Sequence, residues 1–378
     1  MQTEEPERLE GESSRNRMNL NTFYDLPTLG WNDRFEKEFA PYRDQGYEAA
    51  RVALEYQGIY RVFAEGGELL AEVSGKVRYQ ARERADFPAV GDWVVIAKVP
   101  NEQKATIHQI LPRTSKFSRK VTGETSEEQI VATNVDTVFL VVGLDNNYSL
   151  RRIERYLILA FESGARPVII LSKADLSDSV EERIREVERI ALGTPVHAIS
   201  AKREEGLEPL NQYLGFGLSI AFLGSSGVGK STLINRLLGE ERQKVREVRE
   251  EDSKGRHTTT HRELIVLPQG GLLIDTPGMR ELQLWDASEG LTDSFSDVEE
   301  LAAECRFGDC AHTSEPGCAV KEAIQAGALD ANRFENYKKI QKELEYLNTR
   351  QDARAQLAKK ERDKKLHKAI NRMKPRRG

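Results

Sequence analysis

From Glu48 to about Leu111, apolar and polar residues alternate in short runs: ARVALEYQ, IYRVFA, ELLAEVSG, DWVVIAKV and ATIHQIL, split by Gly and Pro. A period of two sends successive side chains to opposite faces, so each run reads as a half-buried strand. Five such strands fit a small antiparallel barrel of the oligonucleotide-binding (OB) type, a strand count that other small barrels share. From Ile130 to Trp285 the texture changes. The runs TVFLVV, PVIIL, PVHAIS, LSIAFL and LLID are short and nearly continuous, as in strands buried on both faces of a parallel sheet. Between the first two, Leu150, Ile153, Leu157, Ala160 and Phe161 share one helical face, with Ser149 placed to cap the start and Gly164 to end it. Strand and helix in repetition predict a doubly wound α/β domain, with ligands beyond the carboxyl ends of the strands. After Trp285 the chain turns helical. Phe334, Tyr337, Ile340, Leu344 and Leu347 have the three/four spacing of a buried stripe. Residues 1–45 are polar without lasting periodicity and read as a mobile arm. The expected order is therefore arm 1–45, RNA-binding barrel 46–115, α/β domain 116–288, helical domain 289–349 and tail 350–378.

Composition narrows the class. The chain has 378 residues, and 31% are charged, enough for several ordinary cores. No apolar run approaches the roughly 20 residues of a membrane helix. The acidic start MQTEEPERLE resembles neither a secretory nor a transit segment, so a cytoplasmic protein without membrane contact is expected, as a monomer. The net charge of −5 conceals an asymmetry. From Arg350 to Gly378 there are twelve Lys/Arg against three Asp/Glu, a basic tail on an acidic body. That distribution suits a polyanionic partner such as nucleic acid, and it equally suits a solvated helix end. Arg51, Arg61, Lys76, Arg78, Arg82 and Arg84, spread along the barrel, either line a phosphate groove or are scattered surface charge.

The chemistry concentrates in a few segments. Gly224, Ser225, Ser226, Gly227, Val228, Gly229, Lys230, Ser231 and Thr232 form a Walker A loop between the strand LSIAFL and the helical TLINRLLG. Glycines let the backbone curl so that successive amides point at phosphates, and the new helix adds its positive end. Lys230 is placed to reach the β- and γ-phosphates, and Ser231 to ligate Mg²⁺. Ser172, Lys173, Ala174 and Asp175 close the strand PVIIL. A carboxylate there can accept both the N1 and N2 protons of guanine, a pairing adenine cannot make, while the Lys173 stem lies over the purine. Ser200, Ala201 and Lys202 close PVHAIS, where a backbone amide can meet guanine O6. Asp275 follows GLLI as a Walker B type carboxylate, and the Gly278 amide can sense the γ-phosphate. Between them, Gly255 to Thr260 carries His257 and the threonines Thr258, Thr259 and Thr260, one of which can complete the Mg²⁺ shell.

All three cysteines fall in Cys305-x4-Cys310-x-His312-x5-Cys318. Three thiolates and an imidazole suit a tetrahedral structural zinc with no position left for a substrate water. Buried unligated cysteine is the plainer alternative.

The motif order is unusual. In ordinary small GTPases the guanine-reading motifs follow the phosphate loop, whereas here SKAD and SAK come first, then GSSGVGKS, GRHTT and DTPG. One site results only if the chain is circularly permuted. Over about residues 46–350 the sequence resembles the small ribosomal subunit-dependent GTPase family RsgA (YjeQ). The resemblance implies an OB barrel, a permuted P-loop GTPase domain and a C-terminal helical zinc domain. It also implies GTP hydrolysis to GDP stimulated by the small ribosomal subunit and its rRNA, in late maturation of that subunit. Such motifs usually begin with Asn, a place held here by Ser172. The position after DTPG is Met279, which cannot orient water, so intrinsic turnover should be slow, with His257 brought to the water on the subunit. Two rival readings are a non-hydrolysing guanylate-sensing RNA adaptor and an RNA-stimulated ATPase, the latter opposed by Asp175.

Overall fold

A computed structural model describes residues 24–121, 127–146, 148–239, 262–275, 288–346 and 349. The first described element corrects the expectation of a mobile arm reaching residue 45. Helix α1 (Asp33–Arg43) starts where the Asn32 side chain accepts from the amides of Arg34 and Phe35, and it buries Phe35 and Phe39. Trp31, just ahead of it, meets the buried Trp93 edge-on at 4.7 Å. Trp31, Phe35 and Phe39, spaced through a polar stretch, do not make a run that periodicity detects, yet with Trp93 they supply one face of the core.

The five alternating runs are β1 (Glu48–Tyr56), β2 (Ile59–Ala64), β3 (Gly67–Val73), β4 (Trp93–Lys98) and β5 (Lys104–Ile110). They pair in the order β1-β2-β3-β5-β4, and β4 returns to β1, which closes the barrel. Only β3 and β5 run parallel. At the first hairpin Gln57 and Gly58 both have positive φ, 53° and 84°, the turn whose twist matches its strands. Helix α2 (Gly75–Gln80) and a 3₁₀ turn (Arg84–Asp86) bridge β3 to β4.

Past the barrel come the hairpin β6 (Lys116–Val121) and β7 (Glu127–Thr133), then β8 (Thr137–Gly143), α3 (Leu150–Ser163), β9 (Arg166–Ser172), α4 (Val180–Ile190), β10 (Val196–Ala198), β11 (Ser219–Leu223), α5 (Lys230–Leu238), β12 (Glu263–Val266) and β13 (Leu272–Asp275). The sheet order is β10-β9-β8-β11-β13-β12, parallel except for β12. The strand that leads into the phosphate loop, β11, is central, flanked by β8 from earlier in the chain and β13 from later. Ser149 and Gly164 bound α3 as expected; Gly164 has φ 79°, while the Ser149 side chain makes no capping bond. The sheet does not end at β12. Leu54 of β1 pairs with Glu263, and Arg61 forms an ion pair with the same glutamate, so the barrel is joined to the α/β sheet by backbone and side chain. Beyond lie α6 (Ser288–Ser294), α7 (Ser296–Ala303), α8 (Ala319–Gln325) and a helix, α9, over residues 331–346.

Arg51 pins the junction. It is 2% exposed, and its guanidinium donates to the carbonyls of Leu29 (2.5 Å), Gly91 (3.2 Å) and Asn134 (2.8 Å) while lying 5.6 Å from the Trp93 ring centre. These three carbonyls belong to the segment before α1, the barrel and the entry to β8. Burial pulls its pKa down to about 10, which still leaves it charged at neutral pH. Replacing Arg51 with Met should cost about 3 kcal/mol, because three buried carbonyls lose their donor. Urea unfolding followed by Trp fluorescence checks this, with a midpoint shift rather than a changed slope expected.

Candidate nucleotide site and metal centre

Parallel register sets the site. Leu223 of β11 lies beside Leu140 of β8, and Gly143 of β8 beside Ser172 of β9, so the carboxyl ends of these strands open on one edge. The phosphate loop leaves β11 at Gly224, packed so closely on β8 that a β-carbon there would run into the Val141 carbonyl. Gly227 and Gly229 take left-handed φ of 77° and 95°, and α5 begins at Lys230. Val228, 1% exposed, anchors the loop in the core beneath. The Lys230 ammonium folds over the loop and donates to the carbonyls of Gly224 (2.5 Å) and Ser225 (2.6 Å). Ser231 and Thr232 are half-buried in the first turn of α5, and Ser226 is exposed.

The loop after β9 is tied to this one. Ser172 is buried, and its hydroxyl points to the Val228 carbonyl at 2.5 Å and, more weakly, to Val142 at 3.2 Å. One hydroxyl has one proton, and the shorter contact takes it. Lys173 turns the chain with φ 58°, and its ammonium pairs with Asp145 at 2.6 Å. Asp175 Oδ1 accepts from the buried Ser200 hydroxyl at 2.7 Å, and the Ala174 amide donates to the Ile199 carbonyl at 3.0 Å. The Ser200 hydrogen bond, chiefly, holds the Asp175 carboxyl below its ordinary range. Ala201 is buried, and its carbonyl accepts from Arg236 of α5 at 3.2 Å; Lys202 is exposed. Asp275 ends β13, next to β11 and opposite Glu263 of β12. The structure thus brings Ser172, Lys173, Asp175, Ser200, Ala201, Asp275 and the residue 224–232 loop to one sheet edge. His257, Thr258, Thr259, Thr260 and Gly278 lie outside the described residues.

Two contacts had no signature in the sequence. Asp145 orients Lys173 from 28 positions away. Helix α3 also touches the phosphate loop: Arg152 approaches the Ser225 hydroxyl at 3.5 Å, and the Tyr156 phenol is hydrogen-bonded to Ser225. Neither residue sits in a motif; only packing of α3 beside the loop reveals them.

The four metal-type residues also converge. Their donor atoms all lie within 4.8 Å of one another. Cys305 Sγ stands 3.6 Å from His312 Nδ1 and 3.9 Å from Cys318 Sγ, with His312 Nδ1 and Cys318 Sγ at 3.4 Å. Bond lengths of about 2.3 Å for zinc–sulfur and about 2.0 Å for zinc–nitrogen give tetrahedral edges of roughly 3.8 Å and 3.5 Å, so the donor set fits zinc. The His312 ring is held edge-on by Phe334 of α9, centres 5.7 Å apart. Glu315 organises the surrounding loop by accepting from the amides of Ala311, Thr313 and Ser314; its own backbone amide first, and then these contacts, pull its carboxyl down to about 2. A buried network then fastens the module to the α/β domain. Arg333 of α9, 5% exposed, donates to Glu154 of α3 (2.8 Å), to both oxygens of Asp297 (2.8 and 2.7 Å) and to the Ser294 carbonyl (2.9 Å). Asn336 hydrogen-bonds the other Glu154 oxygen, and Arg155 meets Glu343 through two bonds of 2.8 Å.

Comparison with known proteins gives a consistent result. The RsgA GTPase family model matches residues 110–285, and a model described as 50S ribosome-binding GTPase matches residues 219–357. The small ribosomal subunit biogenesis GTPase RsgA of Opitutus terrae is 46% identical over 351 residues, 90% of this chain and 96% of that protein. RsgA 1 of Oceanobacillus iheyensis is 45% identical over 338 residues, 88% and 96% of the two chains. Among solved structures, YjeQ from Thermotoga maritima aligns with a TM-score of 0.60 at 30% identity, covering 79% of this chain and 98% of its own. YloQ, described as a circularly permuted GTPase, aligns at 0.59 and 25% identity, covering 80% of this chain and 96% of its own.

The metal centre predicts one zinc per chain by elemental analysis, absent from a Cys310→Ser, Cys318→Ser double variant. Chelation should release the helical module first, seen as loss of α-helical circular dichroism while the barrel Trp93 signal persists.

Proposed function

Because this chain belongs to the RsgA family of GTPases, we propose that it hydrolyses GTP to GDP and phosphate when docked on the small ribosomal subunit, and acts in late biogenesis of that subunit. The observation that carries the reading is the Ser172 clasp on the Val228 carbonyl, which holds the guanine-reading loop against the phosphate loop. Two loops so joined suit one nucleotide whose base and phosphates lie a fixed distance apart.

The roles follow from placement. Asp175, kept ionised by Ser200, accepts the two guanine protons, and the Lys173 stem, steadied by Asp145, covers the ring. The amides of residues 224–229 and the start of α5 receive the α- and β-phosphates. Lys230 exchanges its loop carbonyls for phosphate oxygens and neutralises charge at the γ-phosphate as its bond breaks. Ser231, a switch threonine from Thr258 to Thr260 and Asp275 would hold Mg²⁺, which supplies Lewis-acid stabilisation of the phosphates when bound. The Gly278 amide senses the γ-phosphate. His257 approaches the attacking water once the subunit orders its segment. The zinc module and the basic tail contact rRNA. Among the described residues no helix is long and apolar enough to cross a membrane, and a cytoplasmic monomer is the assignment we favour.

Turnover of GTP, measured alone and with small subunits, large subunits or naked rRNA, tests the reading. Stimulation specific to small subunits is expected, and equal rates in all four conditions would overturn it. Asp175→Asn should weaken GTP binding at least a hundredfold and restore tight binding of xanthosine triphosphate, whose O2 accepts where guanine donates; unchanged GTP affinity would refute the assignment of Asp175. Since the Asp175 carboxyl titrates below the usual range, guanine affinity should stay flat as pH falls from 8 to about 5 and drop only at lower pH. Ser200→Ala should move that drop upward, read by fluorescent GDP titration. His257→Ala should lower subunit-stimulated kcat roughly a hundredfold with nucleotide affinity intact; full stimulated turnover in that variant would end the role given to His257.

A further inference from the structure

Helix α3 is held on two sides before it reaches the nucleotide edge. Ile153, Leu157 and Ala160 seat it on the sheet. Ile158 belongs instead to the core of the helical module, and Gly290 of α6 packs so closely that a β-carbon there would run into the Ile158 carbonyl. The Gly290 amide also donates to Glu162 at 3.1 Å, and Glu154 is paired with Arg333 at 2.8 Å. Arg152 and Tyr156, one turn apart, form a further stripe, and both converge on the Ser225 hydroxyl. The Arg152 guanidinium donates to that oxygen across a long 3.5 Å, which leaves the one serine proton for the phenol oxygen of Tyr156. Tyr156 is 9% exposed; burial raises its phenol pKa, and Arg152, ahead of Ser225, pulls against the rise.

Ser225 matters because of its other end. Its carbonyl accepts from the Lys230 ammonium at 2.6 Å, beside the Gly224 carbonyl at 2.5 Å. Gly224 cannot shift toward β8, because it is already pressed on the Val141 carbonyl. Residue 225 is therefore clamped three ways: by its chain neighbour, by Lys230 through its carbonyl, and by α3 through its hydroxyl. A hydroxyl gripped from a rigid helix ties down its own Cα, and with it the peptide groups on either side. Those groups carry an amide of the phosphate cradle and the carbonyl from which Lys230 departs. A loop set in advance gives up less conformational entropy when a nucleotide arrives. Precision matters more for rate, since misplacing a reacting group by about 1 Å can cost roughly a hundredfold.

We propose that Arg152 and Tyr156 are positioning residues for Lys230, acting through Ser225: they hold the second residue of the phosphate loop so that the ammonium meets the γ-phosphate as its bond breaks. The inference rests on the reading above in taking GTP as the nucleotide. It gives α3, which carries none of the nucleotide-binding motifs, a part in the chemical step. Arg152 acts on the loop and not on the phosphate, so its contribution requires the Ser225 hydroxyl. Lys230 keeps its own carbonyl partner when that hydroxyl is removed, because the carbonyl belongs to the main chain.

The test uses the full chain and the variants Tyr156→Phe, Arg152→Gln and Ser225→Ala. It adds the two doubles that combine Ser225→Ala with each of the others, and the control Arg151→Gln, an exposed position of the same helix. Single-turnover hydrolysis and GTP affinity are measured for each, and urea midpoints report folding. Tyr156→Phe should slow hydrolysis about fivefold and Arg152→Gln roughly tenfold, with GTP affinity kept within about twofold. Ser225→Ala should match the larger loss. Adding either second substitution to it should cost nothing more, since removing both partners of a buried hydrogen bond leaves neither unpaired. Losses that multiply in the doubles would overturn the route through Ser225, as would an Arg151→Gln loss equal to that of Arg152→Gln. Unchanged hydrolysis beside lowered urea midpoints would make both residues mere supports of the fold and end the proposal. If the expected pattern appears while small subunits leave the rate of the unmodified chain unchanged, the positioning stands and the subunit-stimulated reading falls.

Discussion

Everything at the nucleotide edge depends on parallel pairing of β9, β8 and β11 in one register. Backbone amides can cradle phosphates only if the curl that presents them is fixed, because an isolated Gly-rich loop would lose several residues' worth of conformational entropy on binding. The fixing here is specific. Val228 is anchored below in the core, Gly224 is pressed on β8, and Ser172 reaches from β9 to take the Val228 carbonyl. A serine is shorter than the asparagine usual at that position, but its hydroxyl makes the cross-link because the register brings Ser172 to the end of β8 and within reach of the loop. The segment after β9 and the glycine-rich loop after β11 are thus one mechanical unit.

Helix α3 gives that unit an outlet. Its Arg152 and Tyr156 face the phosphate loop at Ser225, and its Glu154 and Arg155 face the zinc module at Arg333 and Glu343. These four residues occupy little more than one helical turn, so a rotation of α3 moves both sets. The Arg333 network is the stiff end. A buried guanidinium shared by Glu154, Asp297 and two carbonyls is strongly committed to its geometry, since removing one partner from such a set costs about 3–5 kcal/mol. A zinc ion held by Cys305, Cys310, His312 and Cys318 would serve the same end from the other side, by holding loops whose polar sequence could not bury a core of their own.

The circular order of the motifs is a matter of where the chain is cut, not of what the sheet contains. β8, β9 and β10 precede β11, whereas β13 and β12 follow it, and the sheet is nevertheless continuous. Joining β12 to β1 through Leu54 and Glu263 uses the free edge that such a sheet would otherwise expose. The cut also places β13 immediately before the helical module, so the strand ending in Asp275 and the α3-bound helices are neighbours in the chain.

The sequence alone determined the strands, the glycine-rich loop after β11, the Ser172–Asp175 and Ser200–Lys202 segments at the strand ends and the convergent set Cys305, Cys310, His312 and Cys318, because period-two alternation, continuous apolar runs, glycine spacing and the confinement of every cysteine to fourteen residues are local signals. It did not determine α1, whose Phe35 packs on Trp93 and whose Phe39 packs on Trp31, nor the Arg51 junction, whose acceptors are carbonyls that any residue carries. The pairings Lys173–Asp145, Ser172–Val228 and Glu154–Arg333 span 28, 56 and 179 positions. Such contacts leave no spacing rule in one sequence, since what brings their atoms together is the register of a sheet and the packing of helices upon it, and tertiary structure alone supplies that distance.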